Sequence, residues 1–221
     1  GATRATTITF RQGSSLPSGA TYTGTLDTEL LGAEPGTGHG SSADMRADAD
    51  NLGSPVQALL LFGNIFGPLP DQIPLGSVIT SAVLELEVFN SSNTPVGTIS
   101  LYAMTTGWDE SSTWNSLGGG VEIGTETVAT PDDAHTVEAL GDTSFNVLAS
   151  LQAWVGGAAN LGWLMANDST DGVAFGSSEY LATLQRPTLT VIFEPAPEPG
   201  TLLLVGLAGA AALCVRRHVR R

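Results

Sequence analysis

Along the first 193 positions, apolar residues recur in short runs with a period of two, broken by Gly, Pro, Asn and Ser. That is the pattern of β-strands joined by turns. Residues 6–10 and 26–31 form two such runs, and residues 56–62 are apolar enough for a central strand covered on both faces. The alternation is longest over residues 78–89. There Val78, Ala82, Leu84, Leu86 and Val88 are predicted to face a core, with Glu85 and Glu87 in water. A turn signal at residues 90–93 separates this run from residues 97–104, so the two are predicted to pair as a hairpin. Further strands are predicted over residues 121–128, 161–166, 172–175 and 187–193. One stretch has the helical period instead. Val147, Leu148, Leu151, Trp154 and Val155 fall on one stripe, with Asn146 as N-cap and Gly156-Gly157 as the stop. Many short strands with one short helix predict an all-β fold, a two-sheet jelly-roll β-sandwich, as a single domain over residues 1–193.

The remaining residues, 194–221, break the pattern. Residues 194–200 read Glu-Pro-Ala-Pro-Glu-Pro-Gly, and three prolines without N–H donors favour extended backbone there. Residues 201–215 are uncharged and mostly apolar. As a helix they reach about 22 Å, short of a hydrocarbon layer of roughly 30 Å, a gap that flanking residues and snorkelling Arg reduce. Arg216, Arg217, Arg220 and Arg221 close the chain and are expected to stay cytoplasmic by the positive-inside rule. A Pro-rich linker, a transmembrane helix and an Arg cluster fit this order better than a buried core helix does. The succession resembles the PEP-CTERM sorting signal, with its motif at Pro197, Glu198 and Pro199. The resemblance implies cleavage near these residues by the membrane enzyme exosortase. It also implies transient insertion in the inner membrane, then a place on the cell surface or in the extracellular matrix of a Gram-negative, exopolysaccharide-producing bacterium. The chain begins at Gly1 with no secretory leader in view, and an exported protein is expected to have had one removed.

Charge sharpens the division between body and tail. Lys is absent, and residues 1–199 carry four Arg against 22 Asp and Glu, a formal −18 that the tail partly conceals in the total of −14. Such a body repels phosphate backbones, which argues against nucleic-acid partners. The single cysteine, Cys214, lies in the tail, so no disulfide within the chain supports the body.

The body has a resemblance of its own. Leu26-Asp27-Thr28, residues 40–46 (Gly-Ser-Ser-Ala-Asp-Met-Arg) and residues 58–62 come first. Residues 73–86, the paired-Trp segment 108–115, Gly162-Trp163, Gly176-Ser177-Ser178-Glu179 and residues 186–191 follow in order. This succession resembles the DNRLRE-type domain, a jelly-roll module of secreted bacterial proteins, over roughly residues 6–194. Leu61 and Gly63 stand where that family has Arg and Asp around its central Phe, here Phe62, and an insertion with Phe66-Gly67-Pro68-Leu69-Pro70 follows. The resemblance implies carbohydrate binding in some relatives and no known ligand in others.

Catalytic patterns are missing. There is no His-Glu-x-x-His, no Gly-x-Ser-x-Gly and no cysteine in the body, so the chain is expected not to be an enzyme. Two acidic stretches, Asp48, Asp50 and Asn51, and Asp168 with Asp171, offer the oxygen ligands a structural Ca²⁺ takes. Solvated loop acids in Asx-turns are the alternative. For sugar binding the candidates are Trp108 and Trp114, which flank a polar loop, with Asp109 and Asn115 as hydrogen-bonding neighbours. Core packing is the alternative for either ring, and Trp154 and Trp163 are predicted to be core. Two functions remain open at this stage: a surface or matrix protein that binds polysaccharide, and a structural assembly module with no small ligand.

Overall fold

The computed structural model describes residues 4–51, 53–91, 97–137 and 140–196, the side chains of Asn51, Asn90 and Ser91 excepted. The sorting motif at Pro197–Pro199, the apolar segment 201–215 and the four terminal Arg lie outside the described residues.

The described residues are all-β apart from one helix. The strands are β1 (Thr6–Arg11), β2 (Thr25–Leu31), β3 (Asp44–Asn51), β4 (Ser54–Phe62), β5 (Val78–Ser91) and β6 (Thr98–Ala103). They continue with β7 (Asp133–Thr136), β8 (Gly141–Asn146), β9 (Trp163–Asn167), β10 (Val173–Gly176) and β11 (Thr188–Glu194), with helix α1 (Leu148–Val155) before β9. All pairings between these strands are antiparallel. The hydrogen-bonded path runs β1-β11-β5-β10-β3-β4-β9-β6-β7, with β2 beside β4 and β8 beside β5.

Strand β3 is the seam of a sandwich-like arrangement. Its first residues pair with β10 (Met45 with Phe175, Ala47 with Val173), and beyond an irregularity it pairs with β4 (Asp48 with Val56, Asn51 with Ser54). Both halves of the path turn side chains into one core. Phe10, Leu84, Leu189 and Val191 come from one half, and Leu60, Phe62, Leu101 and Trp163 from the other. A smaller cluster, Leu30, Leu59, Met104, Leu117, Val121 and Leu164, covers the outer face of β2, β4 and β9. Strand β4 is therefore buried on both faces, as its apolar run predicts.

Several expectations change. Residues 78–89 and 97–104 are not a hairpin: β5 pairs with β11, β10 and β8, whereas β6 pairs with β7 and β9. A local turn signal does not fix a partner when strands from distant sequence pack on the same core. Residues 121–128 form no strand, only a bridge from Thr127 to Met104. They lie in the long connection that covers the smaller cluster. The Gln57 amide replaces a strand partner there, donating to the Val121 carbonyl and accepting from its N–H, each at 2.8 Å. The acidic stretch at residues 44–51, read as a loop, is strand β3, with Met45 and Ala47 buried between polar neighbours. Strands β7 and β8 also escape the pattern, since each buries little: Phe145 is the one buried residue of β8.

Within β5, Ala82, Leu84, Leu86 and Val88 are buried as predicted, but Val78 is 60% exposed and Ile79 is buried in its place. The register with β11 steps from Ser81–Ile192 to Ile79–Phe193, so Thr80 is an extra residue. Such a bulge inverts the faces beyond it. Helix α1 follows its predicted stripe, with Leu151, Trp154 and Val155 buried. The Asn146 carboxamide accepts the Leu148 N–H at 3.1 Å, although Val147 occupies the cap position itself. Gly157, at a φ of 109°, ends the helix.

Candidate functional site

The connection from β6 to β7 brings Trp108 and Trp114 to the outer face of the sheet. Both rings are half-buried and pack against the smaller cluster. The Trp108 indole N–H donates to the Leu161 carbonyl at 2.8 Å. The Trp114 ring lies under the Gly118–Gly120 turn, where a Cβ on Gly120 would stand 2.6 Å from it. Only glycine fits that position, whose φ is 92°. Asp109 and Asn115 are exposed. The Asp109 carboxylate accepts the Ser111 N–H at 2.8 Å and its hydroxyl at 2.6 Å, which hold its pKa below the usual carboxylate range. The two indoles thus form the partly exposed roof of a packed cluster, with the exposed Asn115 beside them.

The second predicted site is brought together from two segments. The Ala49 N–H donates to the Ser169 carbonyl at 2.9 Å, which lays the β9–β10 loop against β3. Gly172 approaches so closely that a Cβ there would meet the Asp48 carboxylate at 2.6 Å. The acids themselves are engaged locally. Asp48 accepts the Asp50 N–H at 3.0 Å, and Asp168 accepts the Thr98 N–H at 2.6 Å. Asp171 N–H donates to the Ser169 hydroxyl, and its carbonyl accepts from the Asn167 amide. Among the described residues no group of three or more His, Cys, Asp and Glu side chains converges as a metal cage does. Asx-turn geometry accounts for the Asp48 contact, and any cation here would draw on backbone carbonyls as well.

A third group was not singled out from the sequence. Asp27 and Glu29, two apart on β2, are each about 2% exposed. Glu29 is held bidentately by the partly exposed Arg46 of β3, at 2.9 and 2.8 Å, a strong form of ion pairing. Among the described residues Asp27 has no cation beside it. Its carboxylate accepts the Ser178 N–H at 2.7 Å, with the carboxylates of Glu179 and Glu110 nearby. Burial, only partly offset by the Ser178 bond, raises its pKa to about 7. Glu110 is raised as well, by burial first and then by Glu179. The Ser178 hydroxyl donates to Glu179 at 2.8 Å, and the Ser177 hydroxyl donates to the Ser42 carbonyl at 2.6 Å. Segments 26–28, 40–46, 108–115 and 176–179 therefore meet at this point. They are the segments that carry the resemblance of the body, which was the available signal.

Beside α1 lies a concavity of about 490 Å³, bordered by Met104, Val128, Pro131, Ala153, Trp154 and Leu161 among others. Its nearest acid, Asp132, is already committed to the Trp163 indole N–H at 2.9 Å. The Trp154 and Trp163 rings, both buried as predicted, meet at 4.8 Å behind it.

No helix among the described residues is long and apolar enough to cross a membrane. Residues 195–221 match the PEP-CTERM protein-sorting motif. No curated protein matches the chain.

Proposed function

We propose that this chain is an exported protein which its tail holds at the inner membrane until an exosortase cuts near Pro197, Glu198 and Pro199, releasing a non-catalytic β body to the cell surface or matrix. The observation that carries the reading is the sorting-motif match at residues 195–221, directly after the last strand. A motif of this kind implies export, a C-terminal membrane-anchoring signal and processing by exosortase. The β-rich body fits a DNRLRE-type jelly roll, and the meeting of its signature segments around Asp27, Arg46, Glu110 and Ser178 supports that assignment. Expression in a host with exosortase tests the processing step. The expected product is a body lacking residues beyond the motif. Replacing Arg216, Arg217, Arg220 and Arg221 with Asp should abolish it by upsetting topology. A parent chain that stays uncut in the membrane fraction refutes the reading.

For the released body the reading is polysaccharide binding at the Trp108–Trp114 face. Each indole keeps part of its surface in solvent beside exposed Asp109 and Asn115, and a partly exposed ring stacks on a pyranose face. The acidic body favours neutral sugars. A structural module without a ligand is the competing reading, favoured by the same rings acting as a roof for the smaller cluster. A glycan array, run with and without Ca²⁺, separates the two. Calcium, if bound, belongs to the edge formed by Asp48, Asp50 and the loop from Asp168 to Asp171.

A further inference from the structure

The sequence pattern places an anchor at the C-terminus, and the fold places the exit to that anchor at one end of the body. Val78 pairs with Glu194 at the start of β5. Gly76 lies against Ala196, with an added Cβ only 3.9 Å from the Ala196 methyl. The Gly76 N–H donates to the Val155 carbonyl at 3.0 Å, and the Gln152 amide donates to the Ile79 carbonyl at 3.2 Å. The loop before β5, the last turn of α1 and the exit of the chain thus form one surface.

That surface differs from the rest of the molecule. Residues 72–84 and 143–167 contain no charged side chain, in a body with 22 acidic residues. Glu194, half-buried beside Val78, is the acid at the exit itself. Leu75 and Val78 are each 60% exposed, and the bulge at Thr80 is what turns Val78 outward. At the opposite end of β5, Ser91 pairs with Val173, next to β3 and the cluster of Asp48, Asp50, Asp168 and Asp171. Fourteen residues of strand separate the two ends, about 40 Å.

Five peptide steps separate Ala196 from the first residue of the apolar segment, Thr201, a reach of at most about 18 Å. That is less than half the length of β5, so the acidic end cannot reach the plane in which residue 201 enters lipid while the exit end stays away from it. An acidic end would also be repelled by anionic headgroups, whereas an end whose acid at the exit, Glu194, is half-buried and whose apolar side chains protrude is repelled far less. We infer that in the anchored protein the exit end of the body, with Leu75, Gly76 and Val78 beside the last turn of α1, rests against the lipid surface while the acidic end points away from it. The inference rests on the membrane-anchoring reading of the tail.

The test uses the full chain with Cys214→Ala, reconstituted in nanodiscs of phosphatidylcholine and phosphatidylglycerol that contain spin-labelled phosphatidylcholine. A bimane fluorophore is attached through Leu75→Cys, Val78→Cys or Asp50→Cys. All three positions are exposed or lie at a strand edge, and thermal melts check that each variant folds. The expected result is loss of most emission at 75 and 78 and none at 50. Chain that co-purifies with the discs yet is unquenched at all three positions overturns the inference while the anchoring reading stands. Equal quenching at 75 and 50 overturns it too. Chain that does not enter the discs refutes the anchoring reading and the orientation with it. If Leu75→Asp with Val78→Asp blocks exosortase cleavage, but positions 75 and 78 are unquenched, the surface is a protein-docking site and the lipid assignment is wrong.

Discussion

Replacing Asp27 by Asn is expected to stabilise the protein above neutral pH and to remove a pH dependence that the parent shows. The buried carboxyl has its pKa raised from 3.8 to about 7, chiefly by loss of hydration. Above pH 7 the folded and unfolded chains both carry the charge, and the folded state bears the whole cost of burying it. As the pH falls from 7 towards 3.8, the folded chain takes up a proton that the unfolded chain does not, so Asp27 makes folding more favourable on acidification. Below 3.8 both forms are protonated and the penalty is gone. A shift of this size corresponds to roughly 4 kcal/mol, acquired at about 1.4 kcal/mol per pH unit. Asparagine keeps an oxygen for the Ser178 N–H and offers its amide to the neighbouring Glu110 and Glu179. Urea unfolding of the full chain in mild detergent, followed by the fluorescence of buried Trp154 and Trp163, reads the difference. The variant should exceed the parent by up to roughly 4 kcal/mol at pH 8 and match it near pH 4. Parallel curves for the two proteins across this range would show that Asp27 does not titrate there, and the reasoning would fail.

Other expectations concern the two predicted sites. Trp108→Ala and Trp114→Ala should each destabilise the body by about 2 kcal/mol, less than a fully buried Trp, because each ring is only partly buried. If the face binds sugar, affinity on the array must fall more than this stability loss explains; unchanged sugar binding in both variants refutes the site. Chelation with EDTA should lower the melting temperature if the edge at Asp48 and Asp168 holds Ca²⁺. A native-state ligand at a hundredfold excess over its Kd contributes about 2.7 kcal/mol. An unchanged melting curve removes the calcium reading.

The strands that were legible in the sequence are those whose core face is continuous. Residues 56–62 and 187–193 announce themselves because burial on one or both faces requires uninterrupted apolar positions, and α1 does so through its 3.6-residue stripe. Strand β3 was hidden by its chemistry. Met45 and Ala47 alternate properly, yet Asp44, Arg46, Asp48 and Asp50 occupy the other face and read as a polar loop. The fate of Val78 was hidden for another reason: one extra residue at Thr80 inverts the face, and no local signal marks a bulge. The misassigned hairpin shows the same limit. Pairing is decided by which strands share a core, and β5 reaches β11 across a hundred residues of sequence. The Trp108–Trp114 segment could be singled out by composition. The convergence of Asp27 with Ser178 could not, since it depends on β2 and the segment after β10 meeting in space.

The composition itself explains much of the polar architecture. A body without Lys and with four Arg can pair only a few of its 22 acids with Arg. Arg46 satisfies Glu29, but Arg11 donates to the Thr188 hydroxyl and Arg186 to backbone carbonyls of Tyr180 and Gln12. The carboxylates turn to backbone N–H groups instead. Asp71 takes Ser18, Asp133 takes Asn146, Asp168 takes Thr98 and Asp27 takes Ser178. In this chain acids act as the clasps that hold loops to strands, a role that charge-assisted hydrogen bonds perform well. Two opposed responses to acid follow. Asp109, with its pKa lowered by the Ser111 hydroxyl and N–H, contributes stability above the ordinary Asp range and loses it as the pH falls through its lowered value. Asp27 gains stability over the window from about 7 down to 3.8. Acidification therefore relieves the buried charge before it releases the Asp109 clasp, and stability through these two groups should rise as the pH falls to about the ordinary Asp value of 3.8 and decline only below it.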